Sequence, residues 1–336
     1  MPLALALLAA ASCTRRMPEK ARKPAEYVHE TVLKTTPVKD QGASALCWLY
    51  GMLATIETNR LMMGDSVDLS PHYIARQYIA QQTLRSYLSR SSSAVSTRGI
   101  GAMALRLTAL YGAQPNASYH PSKPVDYDML CRTLAYKAKR ASSLRACGEQ
   151  ADALLDEEIG FLPSSVFMYS MRYTPQEFGR SVVKEGQYEA LTSFTHHPFG
   201  ERFALEVPDN AFHDTFLNVP IDTLMAAITH AIRGGRAVCW EGDISSKGFS
   251  FEQGRAVLPG NRPQNITQES RQQAFESRQT TDDHVLELMG IARDKQGNPY
   301  FIAKNSWGKS NPYGGFMYLA FNYVRLNTIA VYLPRE

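Results

Sequence analysis

The chain has 336 residues, 44% of them apolar, and a formal net charge of +4 at neutral pH. Between Thr14 and Pro24 lie five basic residues and one acidic residue, so this short segment carries the whole charge excess. The rest of the chain is electrically balanced and lacks the basic face that nucleic-acid binding needs, so we expect no nucleic-acid partner. The length allows one large domain or two lobes.

The first twelve residues are uncharged and almost wholly apolar. The apolar run from Leu3 to Ala11 is shorter than the roughly 20 residues that span a bilayer, and it has the character of a secretory signal core. The small residues before Cys13 resemble a bacterial lipoprotein processing site. We therefore expect residues 1–12 to be a signal peptide and Cys13 to be lipidated. The alternative is an N-terminal segment with an incidental cysteine.

Residues 13–35 are then expected to form a basic tether between the lipid anchor and the folded body. Its positive charge would add attraction to an anionic bilayer, although a solvated linker explains the composition equally well. The sequence thus predicts a lipid-anchored protein of the bacterial cell envelope, facing the periplasm or the surface.

The stretch from Thr36 to Gly64 begins as a loop and continues as a helix. Ser44 is a suitable residue to cap this helix, and Gly64 is expected to end it. Between them, mostly apolar residues recur at steps of three and four, which is the helical period. Cys47 therefore lies in the first turn, where unpaired N–H groups and the helix dipole favour a thiolate. Taken alone, it would be a buried structural cysteine.

The chain from there to about residue 160 is expected to be helical, with helices over 72–88, 99–111 and 128–145. Cys131 and Cys147 flank the third helix and would be able to pair in an oxidising compartment, although spacing alone fixes no connectivity. Cys239 lies in an apolar run and is interpreted as a core residue.

After an irregular stretch over 176–210, a short helix at 223–232 and a strand at 236–244 are expected. A polar segment near 250–281 is interpreted as a surface insertion. Strands follow at 284–293, 299–305, 315–320 and 328–333. His196 and His197 are adjacent and poorly placed to chelate one ion, and no other spacing is typical of zinc ligands, so we expect no metal and no cofactor.

Three residues far apart in the sequence change the interpretation of Cys47. His284 and Asn305 follow it, and a thiol, an imidazole and an amide in this order can serve as a nucleophile, a base and a group that orients the base. Gln41, six residues before Cys47, can direct its amide at an oxygen near the thiol. Alone, His284 would be interpreted as a core histidine, and Trp307 as a core aromatic residue.

The stretch from Gln41 to Trp48, with His284 and the run Asn-Ser-Trp-Gly from Asn305, resembles the papain-like cysteine peptidases. Ser44 stands where extracellular members carry a cysteine, a feature similar to the bleomycin hydrolase and aminopeptidase C branch. The resemblance is strong over 36–64 and 280–320, moderate over 217–248 and thin elsewhere. It implies an α+β fold within 36–336, with a mainly helical lobe over 36–215, a mainly β lobe over 216–336, and the active-site cleft between them.

The resemblance also implies the chemistry of a cysteine peptidase acting on peptides or proteins. Cys47 would attack the peptide carbonyl, His284 would transfer the proton, and Asn305 would orient His284. Gln41 would donate to the oxyanion. Trp307 is expected to cover the bond between His284 and Asn305 and, like Trp48, to support the site.

Two further features are assigned on looser grounds. Gly99 and Gly101 occupy the place of the family's glycine-rich cleft rim, so we expect substrate contacts there, with a plain turn as an equal alternative. Asp282 and Asp283 are interpreted as solvated turn carboxylates rather than as groups that raise the pKa of His284.

Aminopeptidase activity is slightly favoured over endopeptidase activity. In the aminopeptidase C branch the chain's own C-terminal carboxylate lies in the cleft and receives the free amine of the substrate. Here a short tail from Leu333 to Glu336 would have to serve that purpose. The alternatives are a papain-like endopeptidase and a catalytically silent lipoprotein that binds at the surface. A homo-oligomer is compatible with the sequence.

Overall fold

The computed structural model describes residues 25–168, 170–246, 248–260 and 265–335. The expected signal peptide, Cys13 and the first half of the basic tether lie outside these residues. Within them, no helix combines the length and the apolar character that crossing a bilayer requires.

The first lobe is built around helix α1 (Cys47–Met62), whose residues from Trp48 to Leu53 are all buried. The helices around it share one apolar core. The helices expected at 72–88 and 99–111 are present as α2 and α3, and Ser70 caps α2 by accepting the N–H of Tyr73. The helices of this lobe after α1 are α2 Pro71–Leu88, α3 Gly101–Tyr111, α4 Tyr127–Arg140, α5 Leu144–Glu158 and α6 Pro175–Val182.

The helix expected at 128–145 is instead two helices, α4 and α5, separated by residues 141–143. The Ser143 hydroxyl accepts the N–H of Ala146 at 3.1 Å and thereby starts α5. Serine side chains compete for backbone hydrogen bonds in this way, so they favour the start of a new helix over a continuous one. Cys131 and Cys147 lie on different helices, and both are buried free thiols rather than a disulfide.

The second lobe is built on one large sheet. The four strands expected after residue 284 are present as β10 to β13, and the helix expected at 223–232 is α7. The strands of the sheet are β1 Val28–Val32, β4 Tyr188–Thr192, β5 Arg202–Ala204, β6 Thr215–Asn218, β7 Val238–Gly242, β8 Phe249–Ser250, β9 Arg255–Ala256, β10 His284–Arg293, β11 Pro299–Lys304, β12 Phe316–Ala320 and β13 Thr328–Pro334; β2 Val166–Met168 and β3 Met171–Tyr173 form a separate hairpin.

In the described part of the chain, the strand order of the sheet is β5-β6-β4-β13-β7-β10-β11-β12-β9-β8, and β1 pairs with β10. A second apolar core joins this sheet to its helices. These are α7 Ile221–Arg233, α8 Gln268–Glu276 and α9 Phe321–Asn327. The sheet is therefore mixed, and its central strands β7, β10 and β13 are the ones that reach the junction with α1.

Two boundaries drawn from the sequence differ from the structure. The tether expected to end at residue 35 already contains β1, and Leu33 is buried in the second core. The sheet begins before residue 216, because β4 pairs with both β13 and β6. These strands are three to five residues long, too short to show a clear period in sequence.

The segment near 250–281, expected to be a surface insertion, contributes helix α8 to the core. Arg271 on this helix is 1% exposed. Its guanidinium donates to the carbonyls of Ser193 at 2.9 Å and Leu326 at 3.1 Å. Burial lowers the pKa of Arg271 to about 9. An arginine in a polar segment is normally expected at the protein surface. It can nevertheless be buried where backbone carbonyls accept its N–H groups.

A buried polar network fixes the segment that leads to Cys47. Glu57 on α1 is fully buried and accepts hydrogen bonds from Lys39 at 2.5 Å and from the N–H of Leu69 at 2.7 Å. Thr36 donates to the same carboxylate, and Lys304 donates to Thr36 at 2.8 Å. Because Lys304 ends β11, this network joins α1 to the strand that carries the chain into Asn305.

Candidate active site

Helix α1 and strand β10 approach each other closely where the two lobes meet. Gly51 permits this approach, because a Cβ at this position would lie 2.7 Å from the side chain of Val285. His284 is the first residue of β10 and pairs with Gly242 on β7. As a result, Cys47 and His284 line one cleft of about 180 Å³, together with Gln41 and Trp307.

Cys47 is the first residue of α1, as the sequence predicts, but Ser44 is not the cap. Leu46 occupies the capping position and makes no side-chain hydrogen bond to the helix. The Ser44 hydroxyl instead donates to the carbonyl of Gln41 at 2.6 Å. Without a capping side chain, the first N–H groups of α1 keep the free donor character that an incoming anion can use.

His284 and Asn305 form the hydrogen bond that the sequence predicts. His284 Nε2 donates to Asn305 Oδ1 at 2.8 Å, and both side chains are buried. Because Nε2 carries the proton in this bond, Nδ1 is the free basic nitrogen. The Trp307 ring lies 4.8 Å from the His284 ring, centre to centre, and shields the bond from water.

Gln41 lies at the end of the loop before α1 and is held from two sides. Its Nε2 donates to the carbonyl of Ser44 at 2.6 Å, and its Oε1 accepts the Ser306 hydroxyl at 2.6 Å. The backbone N–H of Gln41 also donates to the carbonyl of Ser306 at 2.8 Å. One N–H of the side-chain amide remains for a ligand in the cleft. Sequence reasoning missed Ser306, whose signal was its position between Asn305 and Trp307.

Burial controls the protonation of the two central groups. It raises the pKa of the Cys47 thiol to about 12 and lowers the pKa of the His284 imidazole to about 4. Desolvation thus opposes the effect of the helix dipole on the Cys47 thiol, and both shifts favour the neutral forms of the two groups.

Trp48 and the two glycines of the expected cleft rim have different surroundings. Trp48 is fully buried and donates from Nε1 to the carbonyl of Thr97 at 2.8 Å. Gly99 packs on this ring, where a Cβ would lie 2.8 Å away, and it lines the cleft. Gly101 is packed against Tyr332, and its N–H donates to a side chain of β7 rather than into the cleft.

Of the two aspartates beside His284, Asp283 is exposed as expected from the sequence, whereas Asp282 is half-buried. Burial, together with the nearby carboxylate of Glu241, raises the pKa of Asp282 well above its ordinary value. Burial raises the pKa of Asp283 to about 6, and its Oδ1 accepts the N–H of Ile244 at 2.8 Å. Glu241 is fully buried on β7, and sequence reasoning missed it. Its signal was a single acidic residue at the end of an apolar strand.

His196 and His197 come closer to a common point than their adjacency suggests. Their ring nitrogens and the carboxylate of Glu206 all lie within 4.8 Å of one another, which corrects the expectation that they are poorly placed to chelate one ion. However, Gln272 donates from Nε2 to His196 Nδ1 at 3.0 Å, while its Oε1 accepts the N–H of Thr195. His196 Nε2 therefore carries its proton and donates to Glu206, so hydrogen bonds account for this cluster.

The site thus brings Cys47 into one cleft with the hydrogen-bonded pair of His284 and Asn305. A model of the Peptidase C1-like family matches residues 166–333, half of the chain. The chain therefore belongs to this family, whose members act on peptides or proteins. The matched region contains His284 and Asn305, whereas Gln41 and Cys47 precede it.

Among solved structures, the likeness to PepW supports the same fold. PepW from Lactobacillus rhamnosis HN001 is 18% identical with a TM-score of 0.69, and the alignment covers 91% of this chain and 82% of PepW. Bromelain from Ananas comosus is 14% identical with a TM-score of 0.44, covering 90% of this chain and 94% of bromelain. A mite allergen structure, from a study of Blo t 1 and Der p 1, is 16% identical with a TM-score of 0.46. The alignment covers 90% of this chain and 68% of the allergen chain. No curated protein matches the sequence.

The family match and the likeness to PepW confirm the prediction of a papain-like α+β fold with two lobes. The lobes differ from the prediction in their boundaries, as described above, but not in their order.

Proposed function

We propose that this protein is a cysteine peptidase in which Cys47 is the nucleophile and His284 the base. The observation that carries the proposal is the buried hydrogen bond from His284 Nε2 to Asn305 Oδ1, which leaves Nδ1 free in the cleft that Cys47 lines. Trp307 covers this bond. Membership of a peptidase family supports a peptide as the substrate.

The reaction uses the free Nδ1 of His284 and the Cys47 thiol, which line the same cleft. His284 Nδ1 takes the proton from the Cys47 thiol as the sulfur attacks the peptide carbonyl carbon. The oxyanion that forms is received by the Cys47 N–H and the free amide N–H of Gln41. His284 then gives its proton to the leaving amine, and the C–N bond breaks. Water then loses a proton to His284 as its oxygen attacks the carbonyl carbon of the thioester. The C–S bond breaks, the acid leaves, and His284 returns the proton to the sulfur of Cys47.

Within this class we favour an aminopeptidase over an endopeptidase. However, the C-terminal tail is not placed to receive the free amine of the substrate, as the resemblance implied. Thr328, at the start of β13, pairs with Gly242 beside His284, and the strand runs away from that end. Leu333 pairs with Glu189, and the N–H of Arg335 donates to the carbonyl of Gln187 at 2.8 Å. The tail as far as Arg335 is thus fixed on the sheet away from the cleft. Glu336 lies outside the described residues.

A different feature supports the aminopeptidase reading. Arg98 Nε and Asp209 Oδ1 are 2.8 Å apart, and both residues line the cleft and the larger groove beside it. This ion pair therefore stands between the cleft and the groove. Ligand pockets typically hold about 300–1,000 Å³, so a cleft of about 180 Å³ suits only a short piece of the substrate.

The test of the exopeptidase activity compares a peptide substrate with a free N-terminus and its N-acetylated twin. We expect kcat/KM to be at least about 10-fold higher for the free amine, because a lost charge-assisted hydrogen bond costs roughly that much. Equal hydrolysis of both would indicate an open cleft and an endopeptidase. Labelling of Cys47 by iodoacetamide without turnover of either peptide would favour the silent binding protein.

We also propose that Cys13 is lipidated and anchors the protein in a bacterial cell envelope. The support is the apolar run followed by Ala10, Ala11 and Ser12, with a basic tether behind it. Labelled fatty acid supplied to an expressing bacterium is expected to enter the wild-type protein and to be absent from Cys13→Ser. Label retained in that variant would refute the assignment.

A further inference from the structure

Asp282 lines the cleft, and the fully buried carboxyl group of Glu241 is its neighbour behind the cleft wall. Glu241 Oε2 accepts the Tyr332 hydroxyl at 2.7 Å and the N–H of Gly101 at 3.1 Å. In contrast, Glu241 Oε1 and Asp282 Oδ2 are buried, and no N–H or O–H of the described residues donates to either. Burial raises the pKa of both carboxyl groups, and the neighbouring Glu241 raises the pKa of Asp282 further. No cation of the described residues donates to Glu241 Oε1 or Asp282 Oδ2.

The position of this pair relative to the reacting atoms follows from the mechanism. His284 protonates the leaving amine, so the leaving half of the substrate must lie on the side of His284 and Trp307. The acyl half then extends along the other side of Cys47, where Gly99 and Asp282 line the cleft. Burial of Glu241 behind Asp282 means that a group bound to the pair would be removed from water, where a charge-assisted bond is strong.

Neighbouring charges do not neutralise the pair. Arg98 is the cation closest in the cleft, but its guanidinium is bonded to Asp209, so these two cancel. Asp283 also lines the cleft, but its carboxylate is held by the N–H of Ile244. This side of the cleft therefore offers an acidic site in which Glu241 Oε1 and Asp282 Oδ2 have no hydrogen-bond donor among the described residues.

The loop over 205–214 closes the cleft beyond this site. Asn210 braces it, donating to the carbonyls of Leu205 at 3.0 Å and Asp214 at 2.9 Å. Two arginines of the helical lobe hold it, Arg98 through Asp209 and Arg106 through Asp214. Only the first of these ion pairs lines the cleft. The loop thus limits how much of the acyl half can pass Asp282.

We propose that Glu241 and Asp282 form a binding site for an ammonium group in the acyl half of the substrate, and that the ion pair of Arg98 and Asp209 ends the cleft beyond it. This inference rests on the proposed peptidase function. The ammonium donates to the carboxylate oxygens that have no other donor, Glu241 Oε1 and Asp282 Oδ2. The group is either the free α-amine of the first residue or the side-chain amine of a lysine.

The test measures kcat/KM of the full-length protein for three peptides: one with a free N-terminus, its N-acetylated twin, and an N-acetylated peptide with lysine at the residue before the scissile bond. In Asp282→Asn we expect kcat/KM for the cationic substrate to fall about 10- to 100-fold, while the neutral peptide changes little. Asp283→Asn is the matched control and should keep the wild-type preference. Glu241→Gln, which keeps an oxygen for Tyr332 and Gly101, is the second variant and should behave as Asp282→Asn does.

The three peptides identify the source of the ammonium, since a drop confined to the free-amine peptide assigns the α-amine and a drop confined to the lysine peptide assigns the side chain. A wild-type protein that cleaves all three equally would overturn the aminopeptidase proposal together with this site. A wild-type preference that survives in both Asp282→Asn and Glu241→Gln would overturn the site alone. An equal loss for all peptides, with unchanged iodoacetamide labelling of Cys47, would also overturn it, because the carboxyls would then be structural.

Two variants of the loop over 205–214 test whether the ion pair of Arg98 and Asp209 ends the cleft. Asp209→Asn breaks the ion pair that lines the cleft and is expected to raise cleavage of peptides extended on the N-terminal side. Asp214→Asn breaks the other ion pair and should not. The same response from both variants would show that the loop acts on folding rather than as the end of the cleft.

Discussion

Replacing Cys47 by alanine is expected to lower kcat for peptide hydrolysis by about 10⁴- to 10⁶-fold, as the loss of a nucleophile does in hydrolases of this kind. No other thiol of the described residues lies in the cleft, since Cys131, Cys147 and Cys239 are buried elsewhere. The measurement is the initial rate with a chromogenic peptide, using protein that lacks residues 1–24.

The fold should persist in this variant. Cys47 lies at the edge of the cleft and is partly exposed, so its removal leaves no closed cavity. Thermal unfolding of the variant should therefore match the wild type closely. Cys131→Ala is the matched control, because it removes a buried thiol of α4 away from the cleft and should retain the rate. Substantial turnover by Cys47→Ala would exclude the proposed mechanism.

The sequence predicted the central parts of this fold because the local signals there agree with the tertiary structure. Strand β10 is a nearly continuous apolar run, and it is buried along almost its whole length. The order of Cys47, His284 and Asn305 suggested their proposed roles, and the hydrogen bond between the last two has the predicted partners. Each of these residues lies in a short stretch with its own recognisable neighbours, so sequence reasoning can find them although they are far apart in the chain.

The features that the sequence did not predict depend on contacts between distant segments. Glu241 and Asp282 come together because β7 and β10 pair, with Glu241 opposite Val285. Neither residue shows in its own stretch that the other lies beside it. Arg271 has a polar composition around it, yet carbonyls from two remote segments accept its N–H groups. Desolvation likewise raises the pKa of the Cys47 thiol, which the position at a helix start does not reveal.

The loop before Cys47 shows how the two lobes cooperate. Its beginning is fixed through Thr36 and Lys304, and its end through Gln41 and Ser306. Both anchors belong to the segment around Asn305, which also orients His284. A displacement of this segment would move the base and the amide of Gln41 together. The two lobes thus need no separate alignment for proton transfer and for binding of the oxyanion.

Gln41→Ala is expected to lower kcat by about 10²- to 10³-fold with little change in KM, as the loss of one oxyanion donor does. The residual rate would come from the N–H of Cys47, which remains in the first turn of α1. Gln41→Glu should be at least as damaging, because it removes the amide N–H groups and places a negative charge where the oxyanion forms. Steady-state kinetics on one peptide measures both constants.

Ser306→Ala separates the orientation of the Gln41 amide from the hydrogen bond that this amide donates to the oxyanion. Its hydroxyl holds Gln41 Oε1 at 2.6 Å, so its loss should let the amide rotate and lower kcat less than Gln41→Ala does, again without a change in KM. The double variant should then be no worse than Gln41→Ala alone, because Ser306 acts only through the amide. Additive losses would mean that Ser306 has its own effect on the site. A rise in KM with unchanged kcat in Gln41→Ala would assign this residue to substrate binding instead.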